Sequence, residues 1–88
     1  MSDKAYVVKQ DLEWKKLGDS SMLLLPQKSE FYKLNPTGTR MMELMMEGKG
    51  RKEIVESVAA EYDVPPRDIE ADLTDFVKEM RKLGVLEP

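Results

Sequence analysis

The chain contains no cysteine and no histidine. Together these absences remove thiolate nucleophiles, Ser-His-Asp machinery, His/Cys zinc sites, iron–sulfur ligation and disulfides. Long apolar runs are missing too, since the stretch Met22 to Leu25 is far too short to span a bilayer. The opening residues, MSDKAYVVKQ, lack the basic segment followed by an apolar one that marks a secretory signal. These absences predict a soluble, cytoplasmic protein with no membrane partner. Positive charge is not in excess either: 14 basic residues stand against 17 acidic ones, for a net charge of -3. That is the wrong sign for affinity built on neutralising phosphates, so nucleic acid is not the expected partner.

What is present bounds the architecture. An 88-residue chain with 41% hydrophobic content supports one compact domain over residues 1–88, with residues 1–10 as a flexible or loosely paired N-terminus. At this size about 60–65% of the unfolded surface can be buried, so a ligand is expected in a surface groove and not in an enclosed cavity.

The hydrophobic period is near two in the first third and between three and four afterwards, which predicts strands and then helices. In DLEWKKLG, Leu12 and Trp14 alternate with Glu13 and Lys15 as in a half-buried strand, until Leu17 breaks the pattern before the Gly18-Asp19 turn. SMLLLP reads as a central strand with both faces partly covered, stopped by Pro26. Glu30 to Leu34 is the third strand, with Tyr32 and Leu34 on one face and Phe31 and Lys33 on the other. Hairpin-length links make the sheet small and antiparallel.

Asn35 is a good N-cap and Pro36 fits the first helical position, so a first helix is predicted from about Pro36 to Glu47, stopped by Gly48. Its apolar positions are Met41, Met42, Leu44, Met45 and Met46. The second helix follows GKG and carries Ile54, Val55, Val58, Ala59 and Tyr62 as a stripe. Gly50, Arg51 and Lys52 cap it poorly and put positive charge at the positive end of its dipole. The third and longest helix runs from about Pro66 to Leu83, with Gly84 as a left-handed stop and Val85-Leu86 folding back on the last turn. Three strands followed by three helices describe a small α+β domain, helices covering one face of the sheet.

At this point a resemblance becomes specific. FYKLNPTG at the strand-to-helix junction, GKGRKEIVESVAAEYDVPP through the second helix and IEADLTDFVKEMRKLGVLE through the third resemble, in order and spacing, the family of pyrroloquinoline quinone biosynthesis protein D (PqqD). The likeness extends from Trp14 to Leu86. The lack of a hydroxyl cap on the second helix and the methionine-rich first helix set this chain apart. The resemblance implies a winged-helix-like domain without catalysis or cofactor of its own. Such a domain binds the leader of a ribosomally made precursor peptide and delivers it to a modifying enzyme, usually a radical S-adenosylmethionine enzyme. It also implies that the peptide adds as a strand beside the third strand, in a groove walled by the third helix.

Under that resemblance the expected peptide-binding residues are Glu30, Phe31, Tyr32, Lys33 and Leu34 on the strand and Asp72, Asp75, Phe76, Glu79 and Met80 on the helix. A third helix of about 18 residues is roughly 27 Å long, which at about 3.3 Å per extended residue holds some six to eight peptide residues. Ile69, Leu73, Phe76, Val77, Met80 and Leu83 form one stripe, with Phe76 and Met80 at its centre. On its flank Asp68, Asp72, Asp75 and Glu79 make an acidic edge, which reads either as a solvated face or as a selector of basic peptide residues. Arg81 and Lys82 are solubilising or enzyme-facing. Met41, Met42, Met45 and Met46 read as core filling and not as a metal site, since neither Cys nor His accompanies them. GKGRKE lacks phosphate-loop spacing and reads as a turn. The alternative is a winged-helix DNA-binding protein using the basic run Lys49, Arg51 and Lys52. An unpaired third strand also allows a homodimer through the sheet edge.

Overall fold

The computed structural model describes residues 4–9, 12–25 and 30–87. Its centre is β2 (Ser20–Leu25), hydrogen-bonded on one side to β1 (Glu13–Leu17) and on the other to β3 (Glu30–Leu34), both antiparallel. Strand alternation buries Ser21, Leu23 and Leu25 and leaves Ser20, Met22 and Leu24 half-buried on the opposite face. The register extends this division across the sheet. Leu23 pairs with Trp14 and Tyr32, Met22 with Lys15 and Lys33, and Leu24 with Glu13 and Phe31. Cross-strand partners share a face, so Tyr32 and Leu34 belong to the inner face and Phe31 and Lys33 to the outer. Pro26 and the connection from β2 to β3 lie outside the described residues.

Leu17 breaks the alternation, as the sequence pattern predicts, yet still belongs to the strand. It is the last residue of β1, paired with Ser20 on the outer face and 48% exposed. Backbone pairing through the Gly18 turn (φ +66) carries the strand past the point where hydrophobic alternation fails.

Three helices cover the inner face: α1 (Pro36–Met46), α2 (Arg51–Tyr62) and α3 (Pro66–Lys82). At α1 the Asn35 Oδ1 accepts a hydrogen bond from the Gly38 N–H at 2.7 Å, satisfying one of the open donors of the first turn, and Pro36 has no N–H to satisfy. Met41, Met42, Leu44 and Met45 are buried, but Met46, expected among them, is 43% exposed at the helix end. Helix α2 starts at Gly50 without a side-chain cap and buries Ile54, Val55, Val58 and Ala59. Tyr62, expected at the end of that stripe, is 43% exposed, because the chain turns away through left-handed Asp63 (φ 54) one residue later. With no side-chain cap, α2 is held by the apolar face it buries; each fully buried aliphatic side chain contributes about 1.5–3 kcal/mol.

Helix α3 buries Ile69, Leu73, Val77 and Met80 and stops at Gly84 (φ +80). The N–H groups of Val85 and Leu86 both donate to the Met80 carbonyl, at 2.9 and 3.3 Å, and both side chains return to the core. Residues near the N-terminus run beside this tail. The Lys9 N–H donates to the Val85 carbonyl and the Glu87 N–H to the Val7 carbonyl, each at 3.0 Å, with isolated bridges Ala5–Gly50 and Val8–Leu86. A buried polar pair, Ser21 Oγ and Thr39 Oγ1 at 2.8 Å, joins β2 to α1 inside the core. Among the described residues no helix is long and apolar enough to cross a membrane.

Candidate functional site

A strand edge and a helix that do not touch closely leave a gap, and this fold has one. Among the described residues β3 pairs only with β2, so its other edge has no strand neighbour. The sheet is packed chiefly by α1, whereas α3 packs chiefly on α2. Between β3 and α3 a groove of about 430 Å³ opens to solvent. Tyr32, Lys33 and Leu34 form its strand side, and Asp72, Asp75, Phe76 and Glu79 its helix side.

The Asn35-Pro36 junction closes one end. Asn35, Thr37 and Gly38 line it there, and Met41 lies beneath. The Asn35 cap fixes the angle between β3 and α1, and Gly38 allows close approach: a Cβ at that position would stand 3.3 Å from the Phe76 ring. Leu34 is buried at the strand's end, where its carbonyl also accepts from the Thr39 hydroxyl at 3.4 Å. Phe76 is half-buried, so its ring is at once part of the core and part of the groove.

Charge in the groove is one-sided. Asp72, Asp75 and Glu79 lie on one flank of α3, and none has an ion-pair partner among the described residues. A further carboxylate lies on α1, away from the groove. The Lys16 ammonium, hydrogen-bonded at 2.8 Å, holds the Glu43 carboxyl below its ordinary range, helped by Arg40. Among the described residues no cluster of three or more carboxylates could hold a metal ion.

Residues 21–86 match the family of coenzyme PQQ synthesis protein D. The chain belongs to the PqqD family. Among solved structures this PqqD-family domain is similar to TbiB1, in the structure described as TbiB1 in complex with the TbiA(beta) leader peptide. The two are 31% identical, the alignment covers 92% of this chain and 94% of that one, and the TM-score is 0.85. No curated protein matches the sequence.

The residues named from sequence are placed unevenly by the PqqD-family fold. Tyr32, Lys33, Leu34, Asp72, Asp75, Phe76 and Glu79 come together around the groove. Met80 does not line it; it is wholly buried beneath, in the core. Phe31 points to the outer face of the sheet, and Glu30 is exposed at the start of β3. Asn35, Thr37, Gly38 and Met41 line the groove yet escape the sequence reading. Gly38 offered a signal, because a glycine within a helix costs up to about 0.5–1 kcal/mol relative to alanine, and one in the first turn of α1 implies that something passes close by.

Proposed function

We propose that this domain is a non-catalytic adaptor: it binds the leader of a ribosomally made precursor peptide as a fourth strand on β3 and presents it to a modifying enzyme of the radical S-adenosylmethionine class. The observation that carries the reading is the unpaired edge of β3 facing α3 across an open groove. Main-chain groups along such an edge offer hydrogen bonds at roughly 1 kcal/mol net each, and a wall beside it supplies side-chain contacts. The edge of β1 is less suited. Glu13, Lys15 and Lys16 charge it, a common defence of edge strands, and Lys16 is already engaged by Glu43.

In this reading Tyr32, Leu34 and Phe76 shape the apolar side of the slot, and Asp72, Asp75 and Glu79 favour Lys or Arg in the peptide. The 17 residues of α3 span about 25 Å at 1.5 Å each, which sets the occupied length at about seven to eight peptide residues. DNA binding finds less support, since Lys49 is ion-paired to Glu53 at 3.6 Å, and Arg51 hydrogen-bonds to Thr74 Oγ1 at 2.6 Å and to the Glu70 carbonyl.

The test is an amide chemical-shift titration with a candidate leader peptide, run beside peptides N-methylated at alternate backbone positions. Shifts concentrated on β3 and α3, abolished by N-methylation at every second position, are expected. Shifts confined to α1 and α2, or indifference to N-methylation throughout, would refute strand addition. Light scattering over a range of concentrations shows whether the same edge pairs with a second copy.

A further inference from the structure

Phe31 is the most exposed of the large hydrophobic side chains described, at 67%, yet it stands within a strand and not in a loop. On the β2 side it is supported: Leu24 lies directly across, Met22 is diagonal, and with Leu12 they form the apolar part of a hollow that Glu13, Trp14 and Lys15 also line. On its other side no described strand follows. Lys33, two residues along the same face, has neither an ion pair nor a side-chain hydrogen bond among the described residues. The opposite edge of the sheet carries Glu13, Lys15 and Lys16, whereas β3 sets one outward lysine beside an exposed aromatic ring.

We infer that the bound peptide is read on its outward face as well as in the slot: an aromatic or β-branched residue pairs with Phe31, and an acidic residue two positions away pairs with Lys33. The inference rests on the strand-addition reading. A strand laid on β3 must alternate its side chains in step with β3, whichever direction it runs, so its outward residues meet Phe31 and Lys33 at a spacing of two. The residue between them faces inward, toward Tyr32 and the carboxylates of α3. The peptide therefore carries apolar–x–acidic, or acidic–x–apolar for the opposite strand direction. Pairing geometry places the outward apolar group within about 5 Å of Phe31, where it covers the bare side of the ring. An aromatic pair of this kind is worth roughly two- to tenfold in affinity.

The experiment selects a displayed library of random dodecapeptides on the full-length chain and on Phe31→Ser and Lys33→Glu variants, each first shown to retain the wild-type melting temperature. From the wild type, a motif with an apolar and an acidic column two positions apart is expected. Phe31→Ser should erase the apolar column and leave the others, and Lys33→Glu should turn the acidic column to Lys or Arg. A motif indifferent to both substitutions overturns the outward readout while leaving strand addition intact. If nothing is enriched, or if the enriched peptides shift no amides of β3, both readings fall.

Discussion

Gly38 lies against Phe76: a Cβ built on the glycine would be 3.3 Å from the ring's Cε1 and 3.1 Å from the Asn35 Oδ1 that caps the same helix. The cap of α1 and the aromatic floor of the groove thus occupy adjoining space, and neither can shift without the other. Gly38→Ala gains about 0.5–1 kcal/mol of helix propensity and spends it displacing the ring. Stability within about 1 kcal/mol of wild type, with altered Phe76 ring-proton shifts and weaker peptide binding, is expected. Unchanged ring shifts would show that the contact is slack.

Phe76→Ala separates the ring's two roles. A fully buried phenylalanine costs about 3–5 kcal/mol on truncation; this half-buried ring should cost about 1–3 kcal/mol. Denaturant unfolding measures the first effect and peptide titration the second. A loss below 0.5 kcal/mol with binding intact, judged against that scale of about 1–3 kcal/mol, would remove Phe76 from both core and groove.

Thr39→Val strands the buried Ser21 hydroxyl, whose partner at 2.8 Å is the Thr39 oxygen. The expected cost is about 1–3 kcal/mol, and adding Ser21→Ala should restore part of it because no orphaned hydroxyl then remains. Strictly additive losses in the double-mutant cycle would contradict the pairing.

The Lys16–Glu43 bond ties β1 to α1 at 2.8 Å and lowers the Glu43 pKa from its ordinary 4.5. A carboxyl with a lower pKa folded than unfolded stabilises the fold fully above the unfolded value and loses that contribution as pH falls through the folded value. Lys16→Met should therefore cost about 0.2–1 kcal/mol at neutral pH, and the difference from wild type should shrink as pH falls below the ordinary value of 4.5 and vanish once the folded Glu43 is protonated. A gap that persists to pH 2 would assign the effect to packing of the lysine stem.

Asp75 stands three residues after Asp72 and four before Glu79, spacings at which like charges repel on a helix. Asp75→Asn should raise stability by a few tenths of a kcal/mol while weakening binding of a lysine-containing peptide. Neutralising all three acids should cost binding no more than roughly a hundredfold. Calorimetric melting and peptide titration in low and high salt test both halves, and a variant that is stabilised yet binds equally well would make the acidic edge a mere solvated face.

Local chemistry was legible in the sequence: the Asn35-Pro36 start of α1, the Gly84 stop, the alternation along β3 and the stripe of α3 all follow from residue type and spacing. The groove was legible through the family resemblance, which placed Tyr32, Phe76 and the three acids together, while the residues alone gave each element's faces. What escaped depends on neighbours distant in sequence. Tyr62 and Met46 continue their stripes by angle, but a stripe says nothing about where the covering element ends. Met41 fills the core as expected but also reaches the groove from beneath, Met80 stays wholly in the core, and Gly38 matters through a ring 38 positions later.

The wall of the slot hangs from α2, not from the sheet that forms its other side. Its width is therefore a gauge set by the joint between α2 and α3, two helices that bury Val55, Val58 and Leu73 in the core. Enlarging or trimming those side chains would open or narrow the slot from beneath without altering a single residue that a peptide could touch. Affinity can drift in such a domain through its core alone, while the surface it presents stays the same.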